Sequence, residues 1–138
     1  MGPNEPLEPT PGEVASTEEA PTPGMQIVRK AIALSTLEEM AESMFGNLVK
    51  AVVDVERGII AVAGEMHADE EALLLDDGSP QRGLWGVNLY PAEFHTPRFI
   101  EFDSVINIRP RQGNRTRLVD DAAVRAAVTS IVDRLVTR

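Results

Sequence analysis

The chain predicts an α+β fold with an antiparallel-dominated sheet, its elements running β-α-β-β-α-β-β-α. Three observations carry this. Apolar residues recur at helical spacing in three segments and run continuously or alternate in five others. Turn signals built on glycine or proline separate them. Two of the strand junctions, the tight turn at Glu56-Arg57-Gly58 and the loop from Ala92 to Pro97, are read most simply as hairpins. The first six elements follow the order of a ferredoxin-like split βαβ pair, with a hairpin strand and a C-terminal helix appended.

Residues 1–24 contain six of the ten prolines, five glutamates and no aromatic residue. Such a segment buries too little surface to offset its ordering entropy, so it is expected to be a disordered acidic tail ahead of a single domain over 25–138. Met25 to Leu34 carries Ile27, Val28, Ile32 and Leu34 and is expected as the first strand. Ser35-Thr36-Leu37-Glu38 has the form of a capping box, and Leu37, Met40, Ala41 and Met44 follow at i, i+3, i+4 and i+7 up to Gly46. Asn47–Val55 and Gly58–Glu65 are rich in Val, Ile and Ala around Glu56-Arg57-Gly58, a hairpin with glycine supplying the positive φ. Their apolar character suits strands covered on both faces.

Met66 to Asp77 is expected to be a helix closed by Gly78-Ser79-Pro80, with Ala68, Ala72, Leu74 and Leu75 on its core face. Leu84 to Tyr90 alternates, with Trp85, Val87 and Leu89 on one face and Gly86, Asn88 and Tyr90 on the other. Phe99 to Arg109 is expected as its hairpin partner. Asp120 or Asp121 caps a final helix carrying Val124, Val128, Ile131 and Leu135.

Composition narrows the function classes. The absence of cysteine removes disulfides, thiolate metal sites and a cysteine nucleophile. No apolar run approaches the roughly 18 residues of a membrane span, and the start lacks a signal-peptide pattern, so a soluble cytoplasmic domain without membrane contact is expected. The net charge of -9 argues against general nucleic-acid affinity. The Arg109–Arg117 loop, with Arg111 and Arg115 between, is the one segment suited to it. With aromatics at 4%, stacking platforms for single strands are scarce. Phosphate-loop, dinucleotide, HExxH and G-x-S-x-G patterns are all missing.

The stretch from Phe99 to Arg109 nominates one surface. As a strand it places Ile100, Phe102, Ile106 and Ile108 on one face, and Glu101, Asp103, Asn107 and Arg109 on the other, about 6.6 Å apart. Hairpin pairing brings Asn88 and Tyr90 beside Glu101, with Gly86 leaving space near Asp103.

Gly46-Asn47-Leu48-Val49-Lys50-Ala51-Val52-Val53-Asp54, Gly64-Glu65-Met66-His67-Ala68-Asp69-Glu70-Glu71, Leu84-Trp85-Gly86-Val87-Asn88-Leu89-Tyr90-Pro91 and the run from Glu101 to Arg115 resemble the blocks of a small prokaryotic domain family of unknown function. The similarity spans residues 25–138. It implies a compact cytoplasmic α+β domain and brings no mechanism with it.

Two chemical readings of the polar residues follow. Glu65, His67, Glu70 and Glu71 gather where a strand meets a helix, and with Glu101 and Asp103 they form an oxygen-rich set with one imidazole, suited to Mg or Mn. The same acids at a helix N-terminus also serve the dipole and solvent. Asn88, Tyr90, Asn107, Arg109, Asn114 and Arg115 supply donors for a small anionic or phosphate-containing ligand, with Glu101, Asp103 and His67 as candidate catalytic groups. Pairing of Arg109 with Glu101 or Asp103 as a salt-bridge lattice is the structural counterpart. The functional expectation is thus an anion-binding domain, hydrolytic or not, and the alternative is a regulatory module that contacts a protein partner through the same surface.

Overall fold

A computed structural model describes residues 24–138; the expected tail, apart from Gly24, lies outside the described residues. The elements are β1 (Gln26–Val28), β2 (Ile32–Ala33), α1 (Leu34–Ser43), β3 (Val49–Asp54), β4 (Ile59–Val62), α2 (His67–Asp76), β5 (Leu84–Leu89), β6 (Ile100–Glu101), α3 (Ala122–Leu135) and β7 (Val136–Thr137), with four short 3-10 turns. Five strands form a sheet in the order β1-β4-β3-β5-β6, antiparallel at every junction, and β2 and β7 make a small parallel pair.

The expected α+β class and antiparallel sheet are present. β4 lies between β1 and β3, and β3 lies between β4 and β5, so each βαβ unit is split by one antiparallel strand. A ferredoxin-like sheet would place β5 beside β1; here β5 pairs along all six of its residues with β3. β1 has three residues, all paired with β4, before the chain bends at 29–30. β3 is covered on both faces, Lys50 alone being half-buried, and takes a central position.

The sheet separates two cores. On one face α1 and α3 cover Val49, Ala51, Val53, Trp85, Val87 and Leu89. On the other, α2 brings Leu74 against Val52, Ala61 and Leu84. Asp54 closes the β3–β4 hairpin, its Oδ1 accepting from the Glu56 and Arg57 amides at 2.8 and 3.0 Å, while Gly58 turns at φ 70°. Asp121 caps α3 through the Ala123 and Val124 amides at 2.8 and 3.4 Å.

Three local expectations are corrected. The Ser35–Glu38 capping box does not form: β2, pinned to β7, runs straight into α1, so the cap position falls on Ala33 and Ser35 lies inside the first turn. The core face of α2 is His67, Glu70 and Leu74, while Leu75 is 42% exposed. The helix is rolled so that Glu70 reaches back to the Gly64 amide at 2.8 Å.

The third correction concerns Phe99–Arg109. β6 ends at Glu101, and a 3-10 turn over Val105–Asn107 follows, opened by Ser104 accepting from the Ile106 amide at 3.2 Å. Beyond β6 the Gly86 main chain on β5 would face an empty edge. The Asn107 side chain fills it: the Gly86 N–H donates to Oδ1 at 2.8 Å and Nδ2 donates to the Gly86 carbonyl at 3.0 Å. Glycine is required there because a Cβ would come within 2.5 Å of Ser104 Cβ. Gly86 therefore accommodates Ser104 and not Asp103.

Substituting Gly86→Ala forces the Ser104 turn off β5. Overpacking of this kind costs about 1–3 kcal/mol, so urea denaturation should show a loss in that range, with the slope unchanged.

Candidate functional site

The polar residues are best followed outward from β5. Asn88 and Tyr90 share a face at i and i+2, and Glu101 on β6 pairs directly with Asn88. Asn88 Nδ2 and Tyr90 Oη both donate to Glu101 Oε1, at 2.9 and 2.8 Å. A carboxylate only accepts, so the amide nitrogen must be the atom facing it. That leaves Asn88 Oδ1 buried and without a hydrogen-bond partner among the described residues. Burial first, then the Glu101 carboxylate, pushes the Tyr90 phenol up from its ordinary pKa, so it stays a donor.

His67, at the start of α2, meets the main chain of Val87, its Nε2 lying 2.8 Å from the carbonyl oxygen. A carbonyl accepts only, so Nε2 carries the hydrogen. Burial lowers the imidazole pKa, and Lys50, Asp103 and Arg117 also act on it electrostatically. Lys50 stands opposite Asn88 on β3, its Nζ 5.2 Å from the Phe45 ring centre. Asp103 is paired with Arg117 at 2.6 Å. Asn88, Tyr90 and Glu101 meet as the expected hairpin implied, and His67, Asp103, Lys50 and Arg117 lie near enough to act on one another electrostatically.

The expected anion donors lie elsewhere. Asn107, fully buried, is spent on Gly86 and on the Arg117 carbonyl at 3.0 Å. Asn114 Nδ2 donates to the carbonyls of Asn107, Thr116 and Leu118, and its Oδ1 accepts from the Asp120 amide at 2.9 Å. Arg109 donates to the carbonyls of Ile106, Gln81 and Leu84, and its guanidinium lies 4.3 Å from the Trp85 ring centre. It pairs with neither Glu101 nor Asp103. These three side chains hold the 103–120 segment to the sheet, and Arg115 points to solvent.

The candidate metal ligands are not brought together. Glu70 faces inward and Glu65 is exposed, and among the described residues no group of three acidic or imidazole side chains is placed to hold an ion. Glu70 is fully buried, with Oε1 unpartnered. Burial pushes its pKa up to about 9 against the pull of the Gly64 amide and Lys50, so it is a neutral acid at pH 7.

A hollow of about 430 Å³ opens beside the fixed carboxylate, lined by Tyr90, Glu93, Arg98, Ile100 and Glu101. Glu93 and Arg98 were not singled out by the sequence. They pair at 2.9 Å across the loop that joins β5 to β6, and the only signal for them is that they are the sole charged residues of that loop.

A model of a family described as a protein of unknown function, DUF5674, matches residues 26–135. The chain belongs to that family. The match takes in all three helices and the five-stranded sheet, as well as the 103–120 segment. No curated protein and no solved structure matches the chain. Among the described residues no helix is long and apolar enough to cross a membrane.

The buried Glu70 has a thermodynamic consequence. Its folded pKa of about 9 lies above the ordinary 4.5, so the native state holds a proton that the unfolded chain releases between those values. Its contribution to stability is fully present below pH 4.5 and is lost as pH rises towards 9. In thermal melts between pH 5 and 9, Glu70→Gln should fall in Tm less than the parent, the two curves diverging with rising pH.

Proposed function

We propose that the domain is a small-ligand-binding module whose contact surface is the hollow beside Glu101. The observation that carries this reading is the double fixation of one carboxylate oxygen. Asn88 and Tyr90 both hold Oε1, so the Glu101 carboxylate is fixed in one orientation in the lining of the hollow. Exposed carboxylates are seldom worth ordering for stability alone, since a surface pair contributes about 0–1 kcal/mol. Fixing one in advance lowers the ordering cost of binding. The hollow also falls within the usual size range for ligand pockets, roughly 300–1,000 Å³.

We place the domain in the cytoplasm, in keeping with its lack of cysteine, and assign it binding without catalysis, because His67 is committed to Val87 and Glu70 is sealed inside. The anion expected from the arginine loop is set aside, because Asn107, Arg109 and Asn114 are consumed by main-chain carbonyls.

Replacing Asn88 separates a binding role from a structural one. As a site residue, Asn88→Leu removes an unsatisfied acceptor, and Tm should stay within about 2 °C of the parent or rise. A fall of more than about 5 °C would show that Asn88 serves to tie β6 to the sheet, and the binding reading would lose its main support.

A further inference from the structure

We infer that the ligand of this hollow is a primary ammonium or guanidinium carried on an apolar stem; the inference rests on the reading of the hollow as a binding site and names its ligand class. Charge balance around the hollow leads to it. Glu93 and Arg98 neutralise each other at 2.9 Å. Asp103, the next acid along the chain, is neutralised by Arg117 at 2.6 Å. Glu101 is different. Its two partners, the Asn88 amide and the Tyr90 phenol, are neutral donors that orient the carboxylate without cancelling its charge. Among the described residues no cation lies within salt-bridge distance of it, so the residues that line the hollow carry one net negative charge.

The oxygen that Asn88 and Tyr90 leave free on Glu101 sets the chemistry. Glu101 lines the hollow and offers Oε2 as an acceptor, whereas Asn88 Oδ1 is buried behind that lining. An anion brings no donor for Oε2 and meets the carboxylate's repulsion. A neutral alcohol supplies a donor but no charge. A cationic N–H group supplies both, and charge-assisted bonds of that kind are roughly twice as strong as neutral ones. The rest of the lining fits a stem: Ile100 offers an aliphatic wall and Tyr90 a ring face that attracts a cation.

Three isosteric probes test this on the full chain at pH 7: n-butylammonium, n-butanol and butyrate, each titrated to about 50 mM at matched ionic strength, a range suited to the millimolar affinity of so small a molecule. Amide chemical shifts of Tyr90, Ile100 and Glu101 report binding. Butylammonium should shift them saturably, and butanol and butyrate should not. Methylammonium, lacking the stem, should bind at least fivefold more weakly. Glu101→Gln, which keeps an oxygen for Asn88 and Tyr90, should weaken butylammonium at least tenfold while its melt stays cooperative. Saturable shifts by butyrate or butanol in place of butylammonium would overturn the ligand class and leave the binding site standing. No saturable shift by any probe overturns the inference; combined with a destabilised Asn88→Leu it overturns the site as well.

Discussion

The pairing of the Asn107 amide with the Gly86 main chain is the constraint on which the rest of this architecture depends. A side-chain amide carries one donor and one acceptor in nearly the spacing of a peptide group, so it can stand in for a missing strand. β6 supplies only two residues of ladder to β5. Without Asn107, the Gly86 N–H and carbonyl would be an unpaired edge in a buried strand, which native proteins rarely tolerate. With it, the chain is free to leave the sheet after Glu101, enter the Ser104 turn and pass to the Asn114 hub, from which α3 begins. Asn114 repeats the device, gathering three carbonyls from its own loop.

A second economy lies beneath α2. Its inward face carries an imidazole and a carboxylic acid beside a single leucine, and the energetics remain acceptable only because each polar group is neutral and bonded to the main chain. Gly64 makes room for this, since a Cβ there would come within 2.7 Å of Glu70 Cγ. The consequence for function is that His67 and Glu70, residue types associated with catalysis and metal binding, act here as wedges between helix and sheet. The groups left for solvent are those at the end of β5 and β6.

Much of the fold was legible because it follows from apolar periodicity. The β3–β4 hairpin, α3 with its Asp121 cap and the two-faced β5 all lie where the patterns place them. The opposition of Asn88 and Tyr90 to Glu101 was legible too, since a buried face fixes which side chains share a side. What misled was polarity read as exposure. Glu101, Asp103, Asn107 and Arg109 alternate as a wet strand face does, yet Asn107 substitutes for main chain and Arg109 is turned onto carbonyls. Alternation cannot distinguish a strand from a turn whose asparagine imitates one. The roll of α2 was hidden for a related reason: Ala68, Ala72 and Leu75 are the better apolar stripe, and the hydrogen bonds of Glu70 to Gly64 and of His67 to Val87 hold the other face inward. Sheet order was beyond the patterns altogether, because alternation fixes which side chains share a face and not which strands are neighbours.

Asn107 and Asn114 thus hold the fold through main-chain groups, while Asn88 donates to the Glu101 side chain. Amide hydrogen exchange at Gly86 tests the central element of that division most directly. If the Asn107 side chain closes the edge of β5, the Gly86 amide should exchange only through global unfolding, at the rate of its buried neighbour Val87. Exchange at Gly86 as fast as in the exposed 115–118 loop would contradict the account, because the strand would then have an open edge where Asn107 is placed.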